Sequence, residues 1–77
     1  MNIPEAFGII LRKKREDANL SQEKLALLCN LDRTYIGLLE RAQRQPTIST
    51  IFVIAQNLNI SASEIIQDVE ELLNVDY

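Results

Sequence analysis

Residues 33–35, Arg-Thr-Tyr, carry side chains suited to hydrogen bonding with a nucleic-acid base or its backbone. The planar guanidinium of Arg33 can donate two parallel hydrogen bonds to O6 and N7 of guanine, worth about 1–3 kcal/mol of discrimination. Thr34 offers a hydroxyl and a methyl group, which suit a base edge or the thymine methyl. We expect Tyr35 to contact the sugar-phosphate backbone. The alternative is that all three are ordinary surface residues in the first turn of a helix.

A second group of polar residues is suited to phosphate rather than to bases. Gln22 is placed to begin a helix, where its amide and the free backbone N–H groups would bind a phosphate. The remaining candidates occupy the loop after the helix that we expect to begin at Arg33 and the start of the next helix. The alternative for any of them is a solvated role. They are Arg41, Gln43, Arg44, Thr47 and Ser49.

The charge distribution supports a polyanionic partner although the chain has a net charge of −3. Residues 1–45 hold all eight basic residues and six acidic ones, a net charge of +2, whereas residues 46–77 hold five acidic residues and no basic one, a net charge of −5. Binding phosphate requires a local positive surface, not a basic protein. We therefore expect the N-terminal half to face DNA.

The composition argues against an enzyme. The chain has no His and a single Cys, and it lacks a glycine-rich phosphate loop or a Cys/His cluster, so we predict no enzymatic activity, no cofactor and no metal. Cys29 is predicted to be a small core residue, with a redox switch as the alternative. The sequence shows no signal peptide and no long apolar run, which predicts a cytoplasmic protein without a membrane span.

A three-residue junction occurs three times, at residues 19–21 (Asn-Leu-Ser), 30–32 (Asn-Leu-Asp) and 59–61 (Asn-Ile-Ser). Asn tolerates the left-handed conformation that ends a helix, and Ser or Asp then caps the next one. The apolar residue between them can pack against a second apolar residue five positions later. These predicted pairs are Leu20 with Leu25, Leu31 with Ile36, and Ile60 with Ile65.

Together with Thr47 as a fourth cap, the junctions predict five helices at about 4–18, 22–29, 33–42, 48–58 and 62–73. No segment alternates with a period of two, so the predicted fold is all-α, with a helix-turn-helix at about residues 22–42. Small Ala26 suits the crossing of its two helices. The apolar positions predicted to face inward on the first, fourth and fifth helices are Ile3, Phe7, Ile10, Leu11, Ala18, Ile48, Ile51, Ala55, Leu58, Ile65, Ile66, Val69, Leu72 and Leu73.

Four segments, residues 21–26, 32–36, 40–41 and 44–47, resemble the Cro/C1 (xenobiotic-response-element) helix-turn-helix family. Residues 32–47, within so short a chain, are most similar to the controller proteins of restriction-modification systems. The resemblance implies a partly buried ion pair between Arg15 and Glu40. It also places Leu38 at a base-reading position that is often polar, and Lys14 at an inward position that is usually apolar, so that its stem must reach out to solvent.

A dimer is expected because one short recognition helix reads too few bases, and such domains usually pair across two half-sites. The predicted interface lies on the last two helices, so that residues 1–77 form one DNA-binding domain with a C-terminal dimerisation helix. The alternative for Leu72 and Leu73 is packing onto the chain's own core. The predicted interface residues are Phe52, Val53, Ile66, Val69, Leu72 and Leu73.

The predicted function is a homodimeric transcriptional regulator that binds double-stranded operator DNA, of the restriction-modification controller type. One alternative is a phage or mobile-element repressor of the same fold. Another, of a different class, is an antitoxin-like or adaptor protein that binds a partner through its acidic, apolar C-terminal helix. A contact between an acidic patch and RNA polymerase is a hypothesis for activation only.

Overall fold

The computed structural model describes residues 1–75, in which five α-helices succeed one another and no strand occurs. The helices are α1 (Ile3–Asp17), α2 (Gln22–Cys29), α3 (Arg33–Glu40), α4 (Ile48–Asn57) and α5 (Ala62–Val75). The predicted all-α, five-helix fold is confirmed, with α3 ending two residues earlier and α5 two residues later than expected. Asp76 and Tyr77, the last residues of the predicted domain, lie outside the described residues.

Each predicted cap accepts a backbone N–H from the first turn of its helix, which replaces a hydrogen bond that the helix itself does not provide. The sequence analysis missed a further cap at Asn2, whose side chain accepts the N–H of Glu5 while Glu5 accepts the N–H of Asn2. The other four donor and acceptor pairs are Lys24 N–H to Ser21 (3.0 Å), Thr34 N–H to Asp32 (2.8 Å), Thr50 N–H to Thr47 (3.2 Å) and Glu64 N–H to Ser61 (3.1 Å).

The helix ends are closed by residues in the left-handed conformation. Asn19, Asn30 and Asn59 have φ angles of 58°, 55° and 58°, as the repeated junction predicts. After each of them, the next N–H donates to a carbonyl five residues back, as in the bond from Leu31 to Ala26 at 2.8 Å. A fourth left-handed residue, Ala42 (φ 62°), ends α3 in the same way and was not predicted.

Every helix contributes to one apolar core. Its largest fully buried side chains are Leu11, Leu25, Ile36, Leu39, Ile54 and Ile65. Three of these are the inner members of the predicted junction pairs, and their half-buried partners Leu20, Leu31 and Ile60 pack against the same core. Cys29 is buried here too, and burial raises the pKa of its thiol.

Four residues predicted to face inward do not, and they are Ile3, Ala18, Ile48 and Ile66. Ile3 and Ile48, the first residues of α1 and α4, are 57% and 73% exposed. Side chains lean toward the N-terminus of their helix, so those of a first residue project past the packed neighbours. Ala18 is exposed because it lies one residue beyond the end of α1, where helical periodicity no longer applies.

The C-terminal helix also departs from the prediction. Val69, assigned to a dimer interface, is only 6% exposed and belongs to the core. Leu72 and Leu73 are half-buried and pack against that core, which is the alternative considered for them. The reason is that α5 lies along α1 and α4, so the chain itself covers most of the apolar face of α5. Ile66 remains 47% exposed.

Lys14 connects α1 with α5 through two ion pairs. Its Nζ atom lies 2.8 Å from a carboxylate oxygen of Glu64 and 2.8 Å from one of Asp68. Hydrogen bonds to these carboxylates, that of Asp68 first, raise the pKa of the Lys14 ammonium. A lysine at an inward position is thus accommodated by carboxylates on the facing helix. Within residues 1–75, no helix is both long and apolar enough to cross a lipid bilayer.

Candidate nucleic-acid interface

The position of α3 is set first by its close contact with α1. Gly8 of α1 is buried against the end of α3, and a Cβ atom at this position would lie 2.7 Å from the carbonyl oxygens of Leu39 and Glu40. Only a residue without a side chain permits two helix backbones to approach so closely. Gly8 therefore fixes the depth at which α3 lies on the body of the protein.

The pair implied by the family resemblance, Arg15 with Glu40, is present beside this contact. Arg15 donates from Nε to Oε2 of Glu40 (2.6 Å) and from Nη2 to Oε1 (3.0 Å), which is the bidentate arrangement. A third bond runs from Nη1 to the carbonyl oxygen of Leu20 (2.8 Å). The two side chains are only 11% and 4% exposed. Hydrogen bonding to Glu40 raises the pKa of Arg15. The three bonds join α1, the turn between α1 and α2, and α3.

Gln22 takes part in the same network. Its amide Nε2 donates to Oε1 of Glu40 at 3.0 Å, and the side chain is half-buried. The amide predicted to bind phosphate therefore also holds the start of α2 against the buried pair. No sequence pattern indicates this second role, because Gln22 and Glu40 meet only after α2 and α3 have folded together.

The first turn of α3 presents its predicted recognition residues to solvent. Arg33 and Thr34 are exposed, whereas Tyr35 is half-buried and packs against the core. Leu38, one turn further along, is half-buried. The exposed turn therefore offers a guanidinium and a hydroxyl, and the ring of Tyr35 packs the turn against the core.

Sequence analysis missed one residue of this surface, Glu23. Its Oε2 atom lies 3.3 Å from Nη1 of Arg33, and the two side chains are 73% and 68% exposed. The residues are ten positions apart and belong to different helices. No local pattern reveals such a pair, and only the angle between α2 and α3 brings it together.

Gly37 creates space on the same side of α3. A Cβ atom there would lie 3.0 Å from Nη1 of Arg41 and 3.4 Å from Oε1 of Gln22. The Arg41 guanidinium therefore lies across α3 and close to the start of α2. Gln43 and Arg44 are exposed in the following loop. The structure thus brings the predicted phosphate ligands Gln22 and Arg41 together.

The start of α4 supplies the last two candidates. Ser49 is exposed, and the exposed Thr47 uses its hydroxyl to cap the helix. No group of three His, Cys, Asp or Glu side chains that could hold a metal ion occurs within the described part of the chain. The chemistry available on this face is hydrogen bonding and cationic attraction.

Comparison with known proteins agrees with this geometry. The helix-turn-helix family model matches residues 11–65. The control protein C.SmaI of Serratia marcescens is 42% identical over 66 residues, which cover 86% of this chain and 79% of the relative. The control protein C.MunI of a Mycoplasma species is 36% identical over 66 residues, covering 84% of this chain and 89% of the relative.

A solved structure shows the same relationship. The restriction-modification controller protein C.AhdI from Aeromonas hydrophila is 42% identical and superposes with a TM-score of 0.78, covering 80% of this chain and 94% of the controller. The fold, the matched residues and the extent of these alignments give one conclusion. This chain belongs to the helix-turn-helix family of transcriptional regulators.

Proposed function

We propose that this chain is a homodimer that binds paired half-sites in double-stranded operator DNA and controls the genes of a restriction-modification system. The observation that carries the proposal is the exposed turn of Arg33 and Thr34, placed on a helix that the Arg15–Glu40 pair holds against the body. Similarity to control proteins over most of both chains supports the controller role. Such a regulator acts on DNA in the cytoplasm.

In this proposal α3 enters the major groove with its N-terminal turn first. Arg33 donates its two N–H groups to a guanine, and Thr34 contacts a neighbouring base edge or thymine methyl. Tyr35 contacts the sugar-phosphate backbone, and Leu38 offers an apolar contact.

Phosphate contacts would fix the orientation of α3 in the groove without reading sequence. The start of α2 at Gln22 and the neighbouring Arg41 form one such contact, because Gly37 brings the two side chains together. The exposed loop after α3 and the start of α4 form another, through Gln43, Arg44, Thr47 and Ser49.

Homodimerisation would use the apolar surface that the monomer leaves uncovered on its last two helices. Phe52 is 61% exposed, Val53 37% and Ile66 47%. Exposed apolar side chains in such numbers usually mark an interface. Dimerisation through α4 and α5 would leave the two α3 helices free for successive half-sites. A contact of the acidic C-terminal half with RNA polymerase remains a prediction.

The first experiment selects binding sites from a random duplex library with the purified chain and with Arg33→Ala. We expect the wild-type chain to enrich a roughly palindromic motif with half-sites about one helical turn apart. Arg33→Ala should lose the preference at one position of each half-site. Arg12→Ala is the matched control, since Arg12 is an exposed arginine of α1 paired with Glu16. Failure of the wild-type chain to enrich any motif would contradict the proposal.

A second experiment tests the dimer. Phe52→Glu should shift the chain toward monomer in sedimentation velocity and weaken operator binding by a similar factor, because it places charges inside an apolar interface. Ile9→Glu is the control, since Ile9 is an exposed apolar residue of α1, outside the proposed interface. Monomeric wild-type protein at micromolar concentration would exclude this interface.

A further inference from the structure

The exposed pair between Glu23 and Arg33 contributes little to holding the fold together. The donor and acceptor are 3.3 Å apart, only one hydrogen bond joins them, and most of each side chain is in solvent. Exposed pairs of this kind contribute almost nothing to folding. Any effect of the pair on function must therefore act through the side chain that it constrains. That side chain is Arg33, the cation at the start of α3.

We propose that Glu23 is a specificity-determining residue that holds the Arg33 guanidinium for base recognition and opposes its capture by phosphate. This inference rests on the proposed function. An unconstrained arginine on this surface has phosphate oxygens as strong competing partners, and phosphate contacts carry no sequence information. A carboxylate beside it offsets the positive charge that attracts phosphate, and it engages only the Nη1 atom.

The donors left on Arg33 suit guanine. A guanidinium has five N–H donors in a rigid plane, so the bond to Glu23 leaves enough of them for O6 and N7 of guanine. The bond also restricts the directions in which the plane can turn. Glu23 acts through Arg33 and is therefore a positioning residue, with an effect on the ratio between correct and incorrect sites.

The test compares two substitutions that each remove one exposed carboxylate paired with an arginine. Glu23→Gln breaks the pair on the recognition surface, whereas Glu16→Gln breaks the pair with Arg12 on α1, whose atoms lie 3.2 Å apart. Both variants gain the same net charge, so the general increase in attraction to DNA is matched. Thermal unfolding of each variant confirms that both fold as the wild-type chain does.

Binding is measured on three duplexes by fluorescence anisotropy at one salt concentration. These are the selected operator, the same operator with a substitution at the guanine where Arg33→Ala loses its preference, and a random sequence. The expected result is that Glu23→Gln binds random DNA more tightly and lowers the ratio between operator and substituted operator about fivefold, within the range that one exposed charge pair can change. Glu16→Gln should leave that ratio unchanged.

An unchanged ratio in Glu23→Gln, with affinities that rise as in Glu16→Gln, would overturn the inference and leave the proposed function standing. A wild-type chain that binds all three duplexes equally would overturn the proposed function itself, and the inference with it. The two failures are therefore distinguishable in one set of titrations.

Discussion

The two ends of α3 carry the same kind of charged pair in opposite environments. At the C-terminal end, beside α1, Arg15 and Glu40 form the inner pair, which is bidentate and has side chains 11% and 4% exposed. At the N-terminal end, Arg33 and Glu23 form the outer pair, one bond of 3.3 Å between side chains 68% and 73% exposed. The chemical groups are identical, so the difference between the pairs arises only from burial and geometry.

This comparison shows how one short helix separates stability from recognition. A buried charge that loses its partner retains its desolvation cost, so breaking the inner pair is expensive. An exposed charge is solvated with or without a partner, so breaking the outer pair changes stability little. Removing a member of the inner pair should therefore destabilise the protein, whereas removing a member of the outer pair should change only what the protein binds.

The largest effect is expected for Arg15→Ala. It leaves Glu40 buried with a single remaining side-chain donor, Gln22, and removes the bond to the carbonyl of Leu20. We expect the free energy of unfolding to fall by about 3–5 kcal/mol, measured by urea denaturation. Arg12→Ala is the control and should change it by less than about 1 kcal/mol, since its pair with Glu16 is exposed. Similar losses in both variants would contradict the comparison.

The two glycines of the chain, Gly8 against α3 and Gly37 within α3, give the second prediction. At Gly8 a methyl group would meet two backbone oxygens at 2.7 Å, so Gly8→Ala must push α1 from α3 and should lower stability by about 1–3 kcal/mol. At Gly37 it would meet only the ends of the Arg41 and Gln22 side chains, which can move.

Gly37→Ala should therefore keep or raise stability, because Ala favours a helix by up to about 1 kcal/mol over Gly. Its cost should appear in DNA affinity, through displacement of Arg41 and Gln22. Thermal unfolding and operator titration of Gly8→Ala and Gly37→Ala check the two expectations. A Gly37→Ala variant less stable than Gly8→Ala would show that the space beside Gly37 is required for the fold.

The sequence predicts local features of this fold well and tertiary ones less well. The junctions at Asn19, Asn30 and Asn59 were predictable because the conformation of Asn and the cap after it are encoded within three residues. The left-handed Ala42 was not, because alanine carries no such preference and backbone hydrogen bonds hold it in place. Val69 was misassigned because core and interface residues are equally apolar, and only the packing of α5 distinguishes them.

The candidate site follows the same rule. Arg33 was predicted from its position at the start of a capped helix, and the Arg15–Glu40 pair from the family resemblance. The roles of Glu23, Gly37 and the Gln22 amide depend on the angle between α2 and α3, which no spacing in the sequence specifies. Residues that act through another helix are thus the part of the site that requires the structure.

A smaller effect, of opposite sign, is expected at the end of α3. Ala42 adopts a φ of 62°, which costs an L-residue about 1–2 kcal/mol, and glycine avoids most of this cost. Glycine also loses more conformational entropy on folding, which offsets part of this gain. The net expectation is that Ala42→Gly raises the free energy of unfolding by about 0.5–1 kcal/mol. Asn30→Gly is the control and should gain less, since Asn tolerates the left-handed conformation. A loss of stability in Ala42→Gly would show that the contacts of the alanine methyl group stabilise the fold by more than its left-handed conformation costs.

The smallest effect on stability, and the sharpest test of the separation, belongs to Arg33→Ala. Its side chain is 68% exposed and its ion-pair partner, Glu23, is solvated without it, so the free energy of unfolding should change by less than about 0.5 kcal/mol. Discrimination at the contacted guanine should nevertheless fall by about 1–3 kcal/mol, because no other donor pair replaces the guanidinium. Arg15→Ala should show the converse, since the molecules that remain folded keep Arg33 and hence their sequence preference. Urea denaturation and operator titration are therefore both performed on each variant, and each variant should change one of the two measurements and leave the other unchanged. If Arg33→Ala were destabilised by more than about 1 kcal/mol, the outer pair would be structural, and the separation between stability at one end of α3 and recognition at the other would not hold.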